Sequence, residues 1–397
     1  MYRPREEYEL ESRQGSGRSG RLYPDIQSEM DDELGRESLK WKEVFVRLDR
    51  NRDGRIALHE LKDFVQASPE EFQSLGQDVI EEIFFLCDKD SNGYLDEHEF
   101  MTMVKDHVLR RRHPDLHRLL SFASKVVVPQ KSRREAVNIK VEEFRCCPPP
   151  LLFILLSLVE LGVFIYYAIE CSNDGATLTA EGPVPILSPL IYNPRRRYEA
   201  WRYFSYMLIH SGYVHIISNI VVQILLGVPL EMFHGPLRLF VIYISGVIAG
   251  SLGTSVSDPR VYLAGASGGV YAVLTAHVSS IILNWNELEF APIRLAAFLI
   301  FFCVDLGVAV YTRYTLPPGA TKVGYVAHLA GAIAGLLVGI NVLRNVSVNP
   351  WEKYCWWVCL FLYFILLGAA VAWNIAYADY FPPDDTQPLQ PGHCRIY

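Results

Sequence analysis

The chain has 397 residues, a formal net charge of −7 and 50% hydrophobic residues. That length allows two or three domains, and the acidic balance argues against a nucleic-acid partner. Charges crowd the first ~145 residues and several apolar runs near 20 residues follow, so the expectation is a soluble head on a polytopic membrane body.

The opening run Met1-Tyr2-Arg3-Pro4-Arg5-Glu6-Glu7 has no apolar core, which argues against a cleaved signal peptide, and it is too acidic for a mitochondrial transit peptide. Residues 1–37 are polar, with Gly15-Ser16-Gly17 at their centre, and are expected to be disordered. From Ser38 to His107 the pattern is helix, loop, helix, twice over. Trp41, Val44, Phe45 and Leu48 recur at helical spacing. The first loop offers Asp49, Asn51, Asp53, Arg55 through its carbonyl, and Glu60 at positions 1, 3, 5, 7 and 12. The second offers Asp88, Asp90, Asn92, Tyr94 and Glu99 at the same positions. Glycine stands sixth in both, as Gly54 and Gly93. Calcium takes six or more oxygens, and this spacing wraps one loop around one ion. Both loops resemble EF-hands and together read as one paired lobe holding Ca2+. Asp96 at position 9 adds charge where the first loop has Ala57, which predicts a tighter second site.

Residues 108–147 form a basic connector through Arg110-Arg111-Arg112, Lys131, Arg133, Arg134, Lys140 and Arg145. Basic residues beside a first membrane helix mark the cytosolic side and attract anionic lipid. That orientation puts the calcium loops in the cytosol. Of eight cysteines, none has metal-ligand spacing, and Cys146 and Cys147 abut the membrane where palmitoylation occurs.

Pro148-Pro149-Pro150 ends the connector. Apolar helices are expected at about 151–169, 212–232, 237–256, 261–283, 294–311, 322–343 and 354–377. Glu160 in the first is read as paired inside the bundle. The loop before the second carries Arg195-Arg196-Arg197, against the positive-inside tendency, and then Trp201-Arg202. The fourth helix carries Gly265-Ala266-Ser267-Gly268-Gly269, and the sixth carries His328 with Gly324, Gly331 and Gly335 on one face. Helices two, four and six all enter from the outer side. Ser267 and His328 each lie about six residues inside, roughly 9–10 Å deep at 1.5 Å per residue. His215 and Asn219, four residues apart, open helix two on that same side.

A serine and a histidine at one depth suit a nucleophile and its base. The Ser267 N–H, His215 and Asn219 would hold the oxyanion, and Tyr271, one turn past the serine, would buttress the imidazole. No acidic third member is evident; Asp305, on another helix, is the only candidate, and a structural role is favoured for it. Trp201-Arg202, His210, His215-x-x-x-Asn219, Gly265-Ala266-Ser267-Gly268 and Ala327-His328-x-x-Gly331 resemble the rhomboid intramembrane serine proteases over about residues 150–377. Tyr206 stands where some bacterial members have histidine.

The resemblance implies an all-α fold: a six-helix core, a seventh C-terminal helix, and the EF-hand pair of the calcium-binding animal members. It implies Ser267 as nucleophile, His328 as base, His215 and Asn219 on the oxyanion, and Tyr271 against the histidine. Catalysis would use no cofactor, and the substrates would be single-pass membrane proteins, growth-factor precursors among them, cleaved near the outer face. A polar cavity should open outward between helices two, four, five and six. The expected location is the secretory pathway, with the N-terminus cytosolic and the C-terminus luminal or extracellular. Cys171 and Cys394 both fall on the outer side, where a bridge between them is an open alternative to two free thiols. The rival readings are a non-catalytic trafficking adaptor and a calcium-gated transporter.

Overall fold

The computed structural model describes residues 41–67, 84–85, 87–88, 92–102, 114–128, 130, 133, 136–137, 150–288, 290–315, 324–343 and 350–385. The disorder expected for 1–37, Asp90, the Arg110–Arg112 run, Cys146, Cys147 and Cys394 lie outside the described residues. The chain divides into two compact units, Met1–His107 and Val108–Tyr397.

In the first unit each loop ends in a short strand, β1 (Arg55–Ala57) and β2 (Tyr94–Asp96), paired antiparallel with Ile56 opposite Leu95. Both of those side chains are fully buried, beside Phe84 and the Phe45–Phe100 ring pair at 5.5 Å. Helix α1 (Leu58–Ala67) follows β1. After β2 the next helix starts with a reciprocal cap. Glu99 N–H donates to Asp96 Oδ1 at 2.7 Å, and Asp96 N–H donates to Glu99 Oε2 at 3.1 Å.

The second unit opens with α2 (Pro114–Val127), whose buried Leu120, Ala123 and Val127 share a core cluster with Leu230, Met232 and Phe233. Then come α3 (Leu152–Asn173), the one-turn α4 (Arg202–Ser205), α5 (Gly212–His234), α6 (Pro236–Ser257), α7 (Ser267–Leu283), α8 (Ala291–Thr315), α9 (Tyr325–Val342) and α10 (Pro350–Ala376). Six of these are long and apolar enough to cross a membrane; α7, at 17 residues, is shorter. About half of α5, α6 and α9 is buried in protein, against 17% of α3 and 6% of α8 and α10. So α5, α6, α7 and α9 form the inner bundle, and the other three present apolar side chains outward, as lipid-facing helices do.

Small residues set the inner packing. A Cβ on Gly331 would lie 2.3 Å from the Gly268 carbonyl oxygen, and one on Gly335 would lie 2.3 Å from the Ala272 backbone. One on Gly339 would meet Ser279 at 2.6 Å. The glycine stripe of α9 thus lies directly against the small-residue stripe of α7. Thr275 Oγ1 and Ser279 Oγ donate across the seam to the Ala332 and Leu336 carbonyls at 2.8 and 3.0 Å. Gly324, expected on the same face, meets Leu263 instead.

The loop between α3 and α5 is held by Arg202, fully buried, which donates to the Ser188 and Ile191 carbonyls and pairs with Glu199. Arg196 pairs with Glu199, Arg197 donates to the Asn374 carbonyl at 3.0 Å, and the Arg197 guanidinium sits 3.5 Å over the Phe381 ring. Two of the three arginines that run against the charge rule, Arg196 and Arg197, are therefore spent on protein contacts, while Arg195 is exposed. Within α3, Glu160 accepts from Tyr243 at 3.0 Å and from Gln223 at 3.2 Å.

Candidate functional site

The expected fourth helix, 261–283, is corrected: it begins at Ser267 itself. Ahead of it the chain is extended, with Tyr192 and Leu263 exchanging backbone hydrogen bonds at 3.1 and 3.2 Å and Gly265 N–H donating to the Tyr206 carbonyl. Gly265 has φ +116°, a conformation that a side chain opposes, and this delays the helix until after Ala266. Ser267 is therefore not six residues deep in a helix but at its N-terminus. There, first-turn N–H groups lack intrahelical acceptors and the helix dipole is positive. His328 likewise falls in the first turn of α9.

His210 braces this turn. Its Nε2 accepts the Ala266 N–H at 3.4 Å. Burial, with the neighbouring His215 adding to it, pushes the His210 pKa down to about 3, so the ring is neutral and able to accept. The Cε1–Nε2 edge of the His215 ring packs on Gly265, where a Cβ would lie 2.6 Å from Cε1 and 2.7 Å from Nε2. Its Nδ1 is met by Ser211, N–H at 3.5 Å and Oγ at 3.2 Å. With the Ser211 N–H donating into Nδ1, the His215 proton belongs on Nε2, the nitrogen beside the serine turn. Asn219 is buried, and its Nδ2 donates to the His215 carbonyl at 3.0 Å, leaving its second proton for another acceptor.

Across the α7–α9 seam, Tyr271 stacks on His328 with ring centroids 4.4 Å apart and planes 19° apart. The Tyr271 hydroxyl donates to Asp305 Oδ2, and that same oxygen lies 3.5 Å from His328 Nδ1. From the sequence Asp305 is the sole candidate for an acidic third member, with a structural role favoured, and Ser211 has no role there. An aspartate amid the apolar residues of a span was the available signal for the first. Ser211 carried none, because its role depends on where the His215 ring turns. Ser267 is partly exposed, as a nucleophile must be to meet substrate. Tyr206 is buried and its hydroxyl donates to the Val247 carbonyl at 2.8 Å, tying α6 to the serine turn.

In the first unit Asp49, Glu60, Asp88 and Glu99 are buried carboxylates, and Gly54 and Gly93 have φ +80° and +83° at the sharp turn of each loop. Asp49 accepts from the Asp53 and Gly54 N–H groups, and Asp88 accepts from those of Asn92 and Gly93. Tyr94 N–H donates to Asn92 Oδ1, and Arg55 N–H donates to Asp53 Oδ1. Glu60 accepts from the N–H groups of Arg50, Asn51 and Ala57, so taking up an ion requires its carboxylate to trade those donors for the cation. Among the described residues no three metal-type side chains yet converge, but the residues present fit a calcium loop in kind and order.

The fold and this layout define a multi-pass helical membrane protein with a paired calcium-loop unit ahead of it. Residues 197–345 match the Rhomboid domain, and residues 39–105 match an EF-hand domain pair. Rhomboid-related protein 2 of Mus musculus is 39% identical over 262 residues, 66% of this chain and 84% of that protein. Rhomboid-related protein 3 of Homo sapiens is 30% identical over 359 residues, 84% and 87% of the two chains. A relative named inactive rhomboid-related protein 2, from Caenorhabditis elegans, is 31% identical over 328 residues, 82% and 90%. The chain belongs to the rhomboid family, as an EF-hand-bearing member.

Proposed function

We propose that the chain is an intramembrane serine endopeptidase. One observation carries this reading: Ser267 opens α7 and His328 lies in the first turn of α9, on helices pressed together at Gly268 and Gly331. Ser267 Oγ attacks the scissile carbonyl while His328 takes its proton. The developing oxyanion is met by the Ser267 N–H, His215 Nε2–H and the spare proton of Asn219 Nδ2. His328 then protonates the leaving amine, and water, activated by the same imidazole, releases the acyl group from Ser267.

The substrates are single-pass membrane proteins whose chain enters beside α8, cut near the outer face. Growth-factor precursors are the class that the family resemblance suggests. The N-terminal unit lies in the cytosol and the outer ends of α3 and α10 face the lumen or cell exterior, in the secretory pathway. A disulfide at Cys171, on the last turn of α3, supports that orientation, because such bonds persist in oxidising compartments. Calcium bound by Asp49, Asn51, Asp53, Arg55 and Glu60, and by Asp88, Asp90, Asn92, Tyr94 and Glu99, tunes the rate. The basic connector meets anionic lipid.

The test is cleavage of a single-pass substrate by the full chain in lipid vesicles. Ser267→Ala and His328→Ala are each expected to abolish it with the protein folded and membrane-inserted. Full cleavage by either variant overturns the dyad. A folded wild type that binds membrane clients and cuts none of them favours the adaptor reading, and a relative 31% identical to this chain is itself named inactive.

A further inference from the structure

We infer that Asp305 is a positioning residue for His328, so that the serine and histidine work with a third, acidic partner supplied by α8. The inference rests on the reading of Ser267 and His328 as the reacting pair and adds to it.

Asp305 borders the inward stripe of its helix, with its side chain 49% exposed. Phe298 and Phe302, seven and three residues before it, pack on the Tyr271–Leu274–Ala332 cluster, and Ala309, four residues after it, is buried. Ile300, Phe301, Val304 and Val308 point outward. By the 1.5 Å rise, Asp305 lies roughly 15 Å inside the C-terminal end of α8, at a depth where a carboxylate needs donors. It has two. The Tyr271 hydroxyl donates to Oδ2, and His328 Nδ1 lies 3.5 Å from the same atom. The His328 side chain is 8% exposed, and among the described residues its Nδ1 has no partner of hydrogen-bonding geometry, so the Asp305 oxygen at 3.5 Å is the acceptor within reach.

This arrangement fixes the imidazole in two independent ways. The stacked Tyr271 ring sets the plane, at 4.4 Å and 19°. The carboxylate sets the tautomer: a neutral imidazole carries one N–H, and a negative oxygen at Nδ1 draws it there, leaving the Nε2 lone pair as the base. When His328 takes the serine proton, the new positive charge faces the carboxylate, and the 3.5 Å contact shortens into a charged pair. Tyr271 holds the same oxygen, so one tyrosine fixes both partners. Asp305 does not itself take the proton; it stabilises the imidazolium.

The experiment uses full-length protein in lipid vesicles, comparing wild type with Asp305→Asn, Asp305→Leu and Asp305→Glu. A single-pass substrate gives kcat and KM, a fluorophosphonate probe gives the labelling rate of Ser267, and thermal unfolding reports the fold. Asp305→Asn and Asp305→Leu are expected to lower kcat about 10- to 100-fold with KM within about twofold. Ser267 labelling should slow in parallel with little change in unfolding temperature, and Asp305→Glu should recover part of the rate. Asp305→Asn and Asp305→Leu at wild-type kcat overturn the inference while leaving the Ser267–His328 reading intact. A raised KM at constant kcat, or a loss of rate only where the fold is lost, also overturns it. Failure of wild-type Ser267 to label overturns both readings.

Discussion

At the scale of single residues, the site is a set of small groups whose orientation is decided by neighbours. Tyr271 illustrates this, because its ring stacks on His328 while its hydroxyl holds Asp305. Tyr271→Phe keeps the stack and removes the hydroxyl, whereas Tyr271→Ala removes both. The expected order of kcat is wild type, then Phe, then Ala, and equal rates for all three would contradict the geometry. His210 gives a pH prediction. Its folded pKa is pushed down to about 3 from an ordinary 6.5. Above pH 6.5 both folded and unfolded chains hold it neutral; below that the unfolded chain takes the proton first, so stability falls as pH drops from 6.5 towards 3. Thermal unfolding should fall more steeply between pH 7.5 and pH 5 for wild type than for His210→Asn. Much of this site is legible in sequence: Ser267, His328, His215 and Asn219 announce themselves by spacing. Asp305 and Ser211 do not, because each acts through a contact that depends on how one helix rotates against another.

At the scale of elements, most of the helices could be read from apolar runs, and the one that mattered was misjudged. Hydropathy sees 261–283 as continuous because Val261, Tyr262 and Leu263 are apolar, yet the backbone there pairs with Tyr192. The φ of Gly265 is invisible to composition, and it decides that the serine starts a helix rather than sits inside one. The glycine spacing of α9 was legible; its partner stripe on α7 needed the fold. Gly335→Ala tests that seam. The added Cβ would lie 2.3 Å from the Ala272 backbone, which cannot yield as a side-chain tip does. The expected loss is about 1–3 kcal/mol or more, read as a lower unfolding midpoint with cleavage falling alongside it. An unchanged midpoint would show the helices to be further apart. The end of α10 offers a second contrast, because charge counting could not foresee its bonds to the arginine loop. Asn374 donates to Ser255 at 2.8 Å and accepts from Tyr203 at 3.2 Å, while Asp385 N–H donates to the Arg195 carbonyl.

At the scale of the whole molecule, a calcium-loop unit is joined to a rhomboid body, and each is recognisable alone. Glu60→Gln with Glu99→Gln removes the position-12 carboxylate from both loops and should weaken calcium binding sharply. Calcium coupling of about 1–3 kcal/mol would appear as a 5- to 150-fold change in cleavage between low and high calcium, lost in the double variant. Identical rates for wild type and variant at both calcium levels would end the regulatory reading. The Cys171 disulfide has its own test: Cys394→Ser should leave Cys171 open to alkylation without reduction, and continued protection would exclude Cys394 as its partner. The central claim is that Ser267 is a nucleophile activated by His328. Its most direct measurement is mass-spectrometric mapping of a fluorophosphonate adduct on the folded, membrane-embedded chain. The account predicts a single adduct on Ser267, absent in Ser267→Ala and strongly reduced in His328→Ala. A folded wild-type protein with no adduct at Ser267, or an undiminished adduct in His328→Ala, would contradict it.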